Sequence, residues 1–227
     1  MKLKGIIFDG DGVLFDTENL HATAWKNFLP SYNINLTVED FKDGIGVEDK
    51  FFLKKLKEKG KIPESIEIEE LVKKKSEKLQ KILDITEIKI SEEIKKILKY
   101  SKGKYKIAIA SNSEKKFIFR VVEKLEISHF FDLILTRDDV VNPKPFPDIY
   151  KLASKKINVN PENLIAFEDS ETGIISAKSA GIFCVGIKST SDLEKLKMAD
   201  IIINELNFEN FKKIIDIFTN EMEKFRI

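Results

Sequence analysis

The sequence predicts a doubly wound α/β fold, a parallel sheet with helices on both faces, carrying an α-helical segment inserted after the first strand. Three observations lead there. Short apolar runs recur without the polar alternation of a half-exposed strand, as strands buried on both faces require. From residue 105 onward these runs alternate with amphipathic stretches of helix length. The first run and the second are separated by a stretch far longer than a single crossover connection.

The first strand is expected over residues 3–9, "LKGIIFD". The long gap that follows contains "HATAWKNFL", "VEDFKDGI", "EDKFFLKKLKEKG" and "IEELVKKKSEKLQKIL", in which apolar residues recur at three- and four-residue spacing. Residues 17–85 therefore read as a small helical domain, and residues 1–16 with 86–227 as the α/β core. The lysine-rich stretches of the insertion read as solvated helix faces. "ISEEIKKILKYSKGK" returns to the core as a helix, with Ser91 placed to cap it. Strands are then expected over 105–110, 131–136, 164–168, 182–187 and 200–203, and helices over about 113–126, 145–157, 171–180 and 207–223.

The 227 residues can bury a sizeable core, and the formal net charge of +1 gives no overall field to recruit nucleic acid or an anionic membrane. A single cysteine, Cys184, excludes an internal disulfide, and with 2 histidines a Cys/His zinc site is not expected. Cys184 itself falls in an apolar strand and reads as a small buried hydrophobe. No apolar run is long enough to span a bilayer, and Met1 leads directly into the first strand, so a cytoplasmic monomer is expected.

Open α/β sheets bind ligands beyond the carboxyl ends of their strands, and the residues there are polar in a consistent way. After the first strand come Asp9 and Asp11, and after the second Ser111 and Asn112. Lys144 precedes the helix that follows the third, and Glu168 and Asp169 end the fourth. Carboxylates two apart on extended backbone point to one side. Four acids converging on one crevice repel each other unless a cation lies between them, and a hard divalent ion with oxygen ligands, Mg²⁺, suits them. A hydroxyl, an amide, helix N-terminal N–H groups and a lysine would neutralise a phosphoryl group there. One aspartate could then attack phosphorus and carry the group as an acyl phosphate, while the other gives and takes the proton. A calcium loop of the EF-hand type is excluded, because Val13 and Leu14 stand where it needs an oxygen ligand and a glycine.

These residues, in this order, resemble the haloacid dehalogenase superfamily, in its branch of small-metabolite phosphatases and β-phosphoglucomutases. "DGDGVLFDTE" is similar to the branch's first motif throughout, "ASNS" to its second, "KPFPDIY" to its third and "FEDSETG" to its fourth. The resemblance implies Asp9 as nucleophile and metal ligand. It implies Asp11 as general acid/base with its backbone carbonyl on the metal, and Asp169 as a further Mg²⁺ ligand. Glu168 is then either a ligand or a support behind them, and Ser111, Asn112 and Lys144 are the phosphate grip. The inserted helices look like the family's cap, which closes over the crevice and selects a small-molecule phosphate ester.

The second aspartate favours phosphate-ester chemistry over haloacid dehalogenation. Between phosphatase and mutase the residues pull both ways. "DTENLHATAWK" and "LVKKKSEKLQKIL" resemble mutase segments, which makes His21 and Lys75 candidates for cap or substrate contacts, although Lys75 also fits a solvated helix face. Val47 stands where the mutases have an arginine for the second phosphate. A phosphatase is therefore expected ahead of a mutase. A receiver-like switch, which accepts phosphate after its third strand, is disfavoured because that strand ends in Thr136 and the helical insertion would have no role.

Overall fold

The structure, a computed structural model, describes residues 2–42, 44, 46–188 and 193–224. Asp43 and Ile45, within the stretch read above as "KDGIGVEDK", lie outside them. Six parallel strands form one sheet: β1 (Gly5–Phe8), β2 (Lys106–Ala110), β3 (Leu133–Leu135), β4 (Leu164–Glu168), β5 (Phe183–Ile187) and β6 (Ile201–Ile203). Their spatial order is β3-β2-β1-β4-β5-β6. Every expected strand is present: β4 spans the residues expected of it, and the other five are one or two residues shorter at one or both ends than their apolar runs.

Successive residues of a strand face opposite sides, so a doubly covered sheet needs both sets apolar. Ile6 and Phe8 of β1 join Ile107, Ile109, Ile165 and Phe167 in the cluster on one face, and the Phe8 and Phe167 rings stack at 5.3 Å. Ile7 joins Ala108, Ala110 and Ala166 on the other face. The first face is covered by α5 (Glu92–Ser101), α6 (Lys115–Lys124) and α10 (Phe208–Lys224), and the second by α7 (Asp148–Ile157), α8 (Glu171–Ser179) and the short α9 (Leu193–Leu196). Ser91 caps α5 as expected, its hydroxyl accepting from Ile94 N at 3.1 Å.

Between β1 and α5 lie α1 (Glu18–Lys26), α2 (Val38–Lys42), α3 (Asp49–Glu58) and α4 (Ile68–Ile85). No strand interrupts them among the described residues. Trp25, Phe28, Phe52, Leu53 and Leu71 form a hydrophobic cluster of their own there. Leu20 and Ala24 of α1, with Leu79 and Leu83 of α4, instead join the sheet's first-face cluster, so these two helices bridge both apolar bodies. On α4 the lysines divide: Lys73 and Lys74 are exposed, whereas Lys75 is buried.

Candidate active site

Phe8 of β1 lies opposite Phe167 of β4, and Asp9 N donates to Phe167 O at 2.9 Å. The next residues, Asp9 and Glu168, therefore emerge side by side at the carboxyl edge, where the strand order reverses and ligands bind in such sheets. Asp9, Glu168 and Asp169 are all buried, and each turns a carboxylate oxygen to a common point, within 4.8 Å of one another. Lys144 enters from the loop before α7: its Nζ donates to Asp9 Oδ1 and Glu168 Oε1, both at 2.5 Å, and to Ala110 O at 2.7 Å. The buried Tyr150 hydroxyl also donates to Glu168.

Burial pushes the Asp9 carboxyl well above the usual carboxylate range; Lys144 opposes this, and Glu168, Asp169 and Asp11 add to it. Burial alone would discharge Lys144, but Asp9 and Glu168 overcome it and raise its pKa above the ordinary lysine value. One ammonium thus faces three crowded carboxylates of hard oxygen donors. That imbalance is what a divalent cation would correct, and the donor set fits one.

Asp11 occupies a different environment. Its Oδ2 accepts from Ser113 Oγ at 2.7 Å and from Ser111 Oγ at 3.3 Å, and its Oδ1 accepts from the Thr17 hydroxyl. Its carboxylate lies outside the acidic triad. Gly12, the residue after Asp11, takes φ +82° and passes so close to the triad that a Cβ there would lie 2.0 Å from Asp169 Oδ2. At Gly173, within α8, a Cβ would lie 1.9 Å from Glu168 Oε2.

Asn112, expected to offer its amide to an anion, is taken up by backbone. Its Oδ1 accepts from Lys144 N at 2.9 Å, and its Nδ2 donates to Lys144 O at 3.1 Å and Gly46 O at 3.2 Å. It holds the Lys144 loop in place. Lys75 corrects the solvated-face reading most clearly. Only 4% of its side chain is exposed, and its Nζ meets Asp49 Oδ2 at 3.0 Å and His21 Nδ1 at 2.8 Å. An ammonium can only donate, so Nδ1 accepts and the proton of the neutral ring sits on Nε2. That Nε2 is 3.7 Å from Asp11 Oδ1. Burial and Lys75 lower the His21 pKa to about 4, against the opposing pull of Asp11. Residues 9, 11, 21, 75, 111, 112, 144 and 169 all line one cavity of about 460 Å³, with Trp25, Phe41, Val47 and Phe52 on its helical side. Ser113, Thr17 and Tyr150 were not singled out from the sequence. Ser113 lies inside the quoted "ASNS" and Tyr150 inside "KPFPDIY", so motif membership was the available signal.

A carboxylate triad with one buried lysine, at the reversal point of a parallel sheet and roofed by helices, defines an acid-centred α/β enzyme site able to hold a cation. The chain belongs to the haloacid dehalogenase-like hydrolase family, whose model matches residues 6–187. A phosphorylated carbohydrates phosphatase of Thermotoga maritima is 33% identical over 181 residues, covering 79% of this chain and 82% of that protein. The β-phosphoglucomutase of Bacillus subtilis is 27% identical over 242 residues, covering 99% of this chain and 98% of the other. Among solved structures, a β-phosphoglucomutase of Clostridium difficile superimposes with a TM-score of 0.85 at 28% identity, covering 97% of this chain and 99% of that one. No helix among the described residues is long and apolar enough to cross a membrane.

Proposed function

We propose that this chain is a Mg²⁺-dependent phosphatase of small sugar- or polyol-type monophosphates, working through a phosphorylated Asp9. The observation that carries the reading is the unlike setting of two aspartates two residues apart. Asp9 sits with Lys144 and the acids, whereas Asp11 sits with three hydroxyls and His21. Asp9 attacks phosphorus as the bond to the leaving oxygen breaks, and Asp11 gives that oxygen its proton. Asp11 then takes a proton from water, whose oxygen attacks the acyl phosphate and frees Asp9 with release of inorganic phosphate. Asp9 and Asp169, with the Asp11 carbonyl and Glu168, would hold Mg²⁺, which would supply positive charge to the phosphoryl oxygens and favour ionised Asp9. Ser111 and Lys144 steady the transferring group, and Asn112 fixes Lys144. Residues 17–85 act as a cap over the 1–16 and 86–227 core and exclude bulk water. The lone buried cysteine suits a reducing cytoplasm, and the crevice is complete within a monomer.

The relatives include both phosphatases and mutases, and the cap wall is what favours the phosphatase. Val47 there offers no charge and Lys75 is already paired with Asp49, which leaves Lys26, over the Phe41 ring, as the cap-side lysine of the lining to meet a second phosphate. Incubation with β-glucose 1-phosphate, with and without a bisphosphate activator, and with a panel of phosphorylated metabolites, tests the reading. Mg²⁺-dependent release of inorganic phosphate is expected. Isomerisation to glucose 6-phosphate without net phosphate release would make the protein a mutase instead.

A further inference from the structure

Three carboxylates meet at the seam between the helical segment and the sheet. Glu48 and Asp49 stand at the N-terminus of α3, and Glu114 precedes α6. Their side chains are 9%, 12% and 20% exposed, so solvent screens their repulsion poorly. Arg137, on the turn after β3, reaches all three. Its Nη1 lies 3.3 Å from Glu48 Oε1 and 3.4 Å from Asp49 Oδ2, and its Nη2 lies 2.6 Å from Glu114 Oε1. Its Nε also lies 3.7 Å from Asp138 Oδ1 on its own turn. The turn is fixed in place: Thr136 N and Oγ1 both donate to Asp139 Oδ2 at 2.9 Å, and Arg137 N donates to Ser113 O at 3.4 Å.

Asp49 is shared. Its other partner is Lys75, which in turn contacts His21, which faces Asp11. A continuous line of contacts therefore runs from Arg137 through Asp49, Lys75 and His21 to the proposed acid/base. Without the guanidinium, the three acids would keep the Lys75 ammonium on Asp49 and the neutral Ser76 hydroxyl on Glu114. The Lys75 that now holds His21 would be drawn towards them, and α3 would be pushed from the sheet edge.

We propose that Arg137 is a positioning residue: it neutralises Glu48 and Glu114, shares Asp49 with Lys75, and so holds α3 over the crevice and His21 against Asp11. The catalytic part of this rests on the phosphatase reading; the positional part does not. Arg137 touches no reacting group.

The test compares wild type with Arg137→Ala, Arg137→Lys and the double variant Arg137→Ala/Glu48→Gln. In the double variant one seam charge is gone while the glutamine carbonyl can still cap α3. Two readouts need no turnover: hydrogen exchange across Asp49–Glu58, and the side-chain ¹⁵N resonances of His21, one of only 2 histidines in the chain. Arg137→Ala should speed exchange in α3 about tenfold or more while the amides of β1 and β4 keep wild-type protection, and should shift the His21 resonances. Arg137→Lys should restore part of both, and removing Glu48 as well should recover part of the loss. With turnover, KM for a sugar phosphate should rise about tenfold, with kcat for an aryl phosphate changing less than about threefold. Wild-type α3 exchange and unshifted His21 resonances in Arg137→Ala would overturn the proposal. So would no recovery in the lysine and double variants if Arg137→Ala proves globally unfolded. A wild type without phosphatase activity that still shows the exchange and resonance changes would remove the phosphatase reading and leave the positional role standing.

Discussion

The Lys144 ammonium lies 2.5 Å from Asp9 Oδ1, with 1% and 11% of the two side chains exposed. Removing one partner of a buried ion pair leaves the other charge without compensation, a cost of about 3–5 kcal/mol. Lys144→Met should therefore destabilise the metal-free protein by about that amount, and Mg²⁺ should recover part of it by supplying the missing positive charge. Thermal unfolding with and without Mg²⁺ checks this; a variant as stable as wild type in both conditions would contradict the charge balance described for the crevice.

The hydroxyl cage around Asp11 sets a prediction about leaving groups. A departing alkoxide needs a proton in the transition state, whereas a nitrophenolate needs almost none. Asp11→Ala should lower kcat/KM, which ends at formation of the acyl phosphate, by about 10²–10⁴-fold for a sugar phosphate and by much less for an aryl phosphate. Steady-state kinetics with both esters measures it. Equal losses in kcat/KM on both would rule out proton donation by Asp11 to the leaving group.

Gly173 gives a stability test in which two effects oppose. Alanine is favoured over glycine in a helix by about 1 kcal/mol, but its Cβ would lie 1.9 Å from Glu168 Oε2. Glu168 is fully buried and held by Lys144 and Tyr150, so it has nowhere to swing. The clash should win, and Gly173→Ala should lose about 1–3 kcal/mol in chemical denaturation.

Asp40, in the first turn of α2, carries a pH dependence of its own. Lys61 at 2.6 Å, with Thr37 N at 2.8 Å and the Thr37 hydroxyl at 2.7 Å, lowers its pKa from 3.8 to about 2. A depressed carboxyl stabilises the fold above its unfolded pKa and loses that contribution as pH falls through the folded one. Asp40→Asn should thus cost about 1 kcal/mol at neutral pH, the worth of the capping box it forms with Thr37 at the start of α2. The difference from wild type should shrink between pH 4 and 2. Denaturation of both proteins across that range would show it, and a constant difference would refute the assignment.

The sheet was legible because each buried strand is a nearly pure apolar run, and the acids and Lys144 because they fall at strand ends in recognisable motifs. What escaped the sequence were contacts made by long side chains across distant segments. Lys75 looks identical to Lys73 and Lys74 in the run "KKK", and only the rotation of α4 turns it towards His21 and Asp49. Arg137 sits in the unremarkable "TRDD", yet its partners lie 88 and 89 residues away on α3. Asn112 was legible as a polar residue at a strand end, but its commitment to the Lys144 backbone depends on a loop arriving from 32 residues further on.

The central claim is that Asp9 carries the phosphoryl group. Rapid acid quench of the Mg²⁺-loaded protein during turnover of a hydrolysed ester, followed by peptide mapping, reads this directly. A phosphorylated peptide containing Asp9 is expected, formed and discharged at rates that support kcat and absent from Asp9→Asn. Turnover with no covalent phosphate on that peptide, or an active Asp9→Asn, would contradict it.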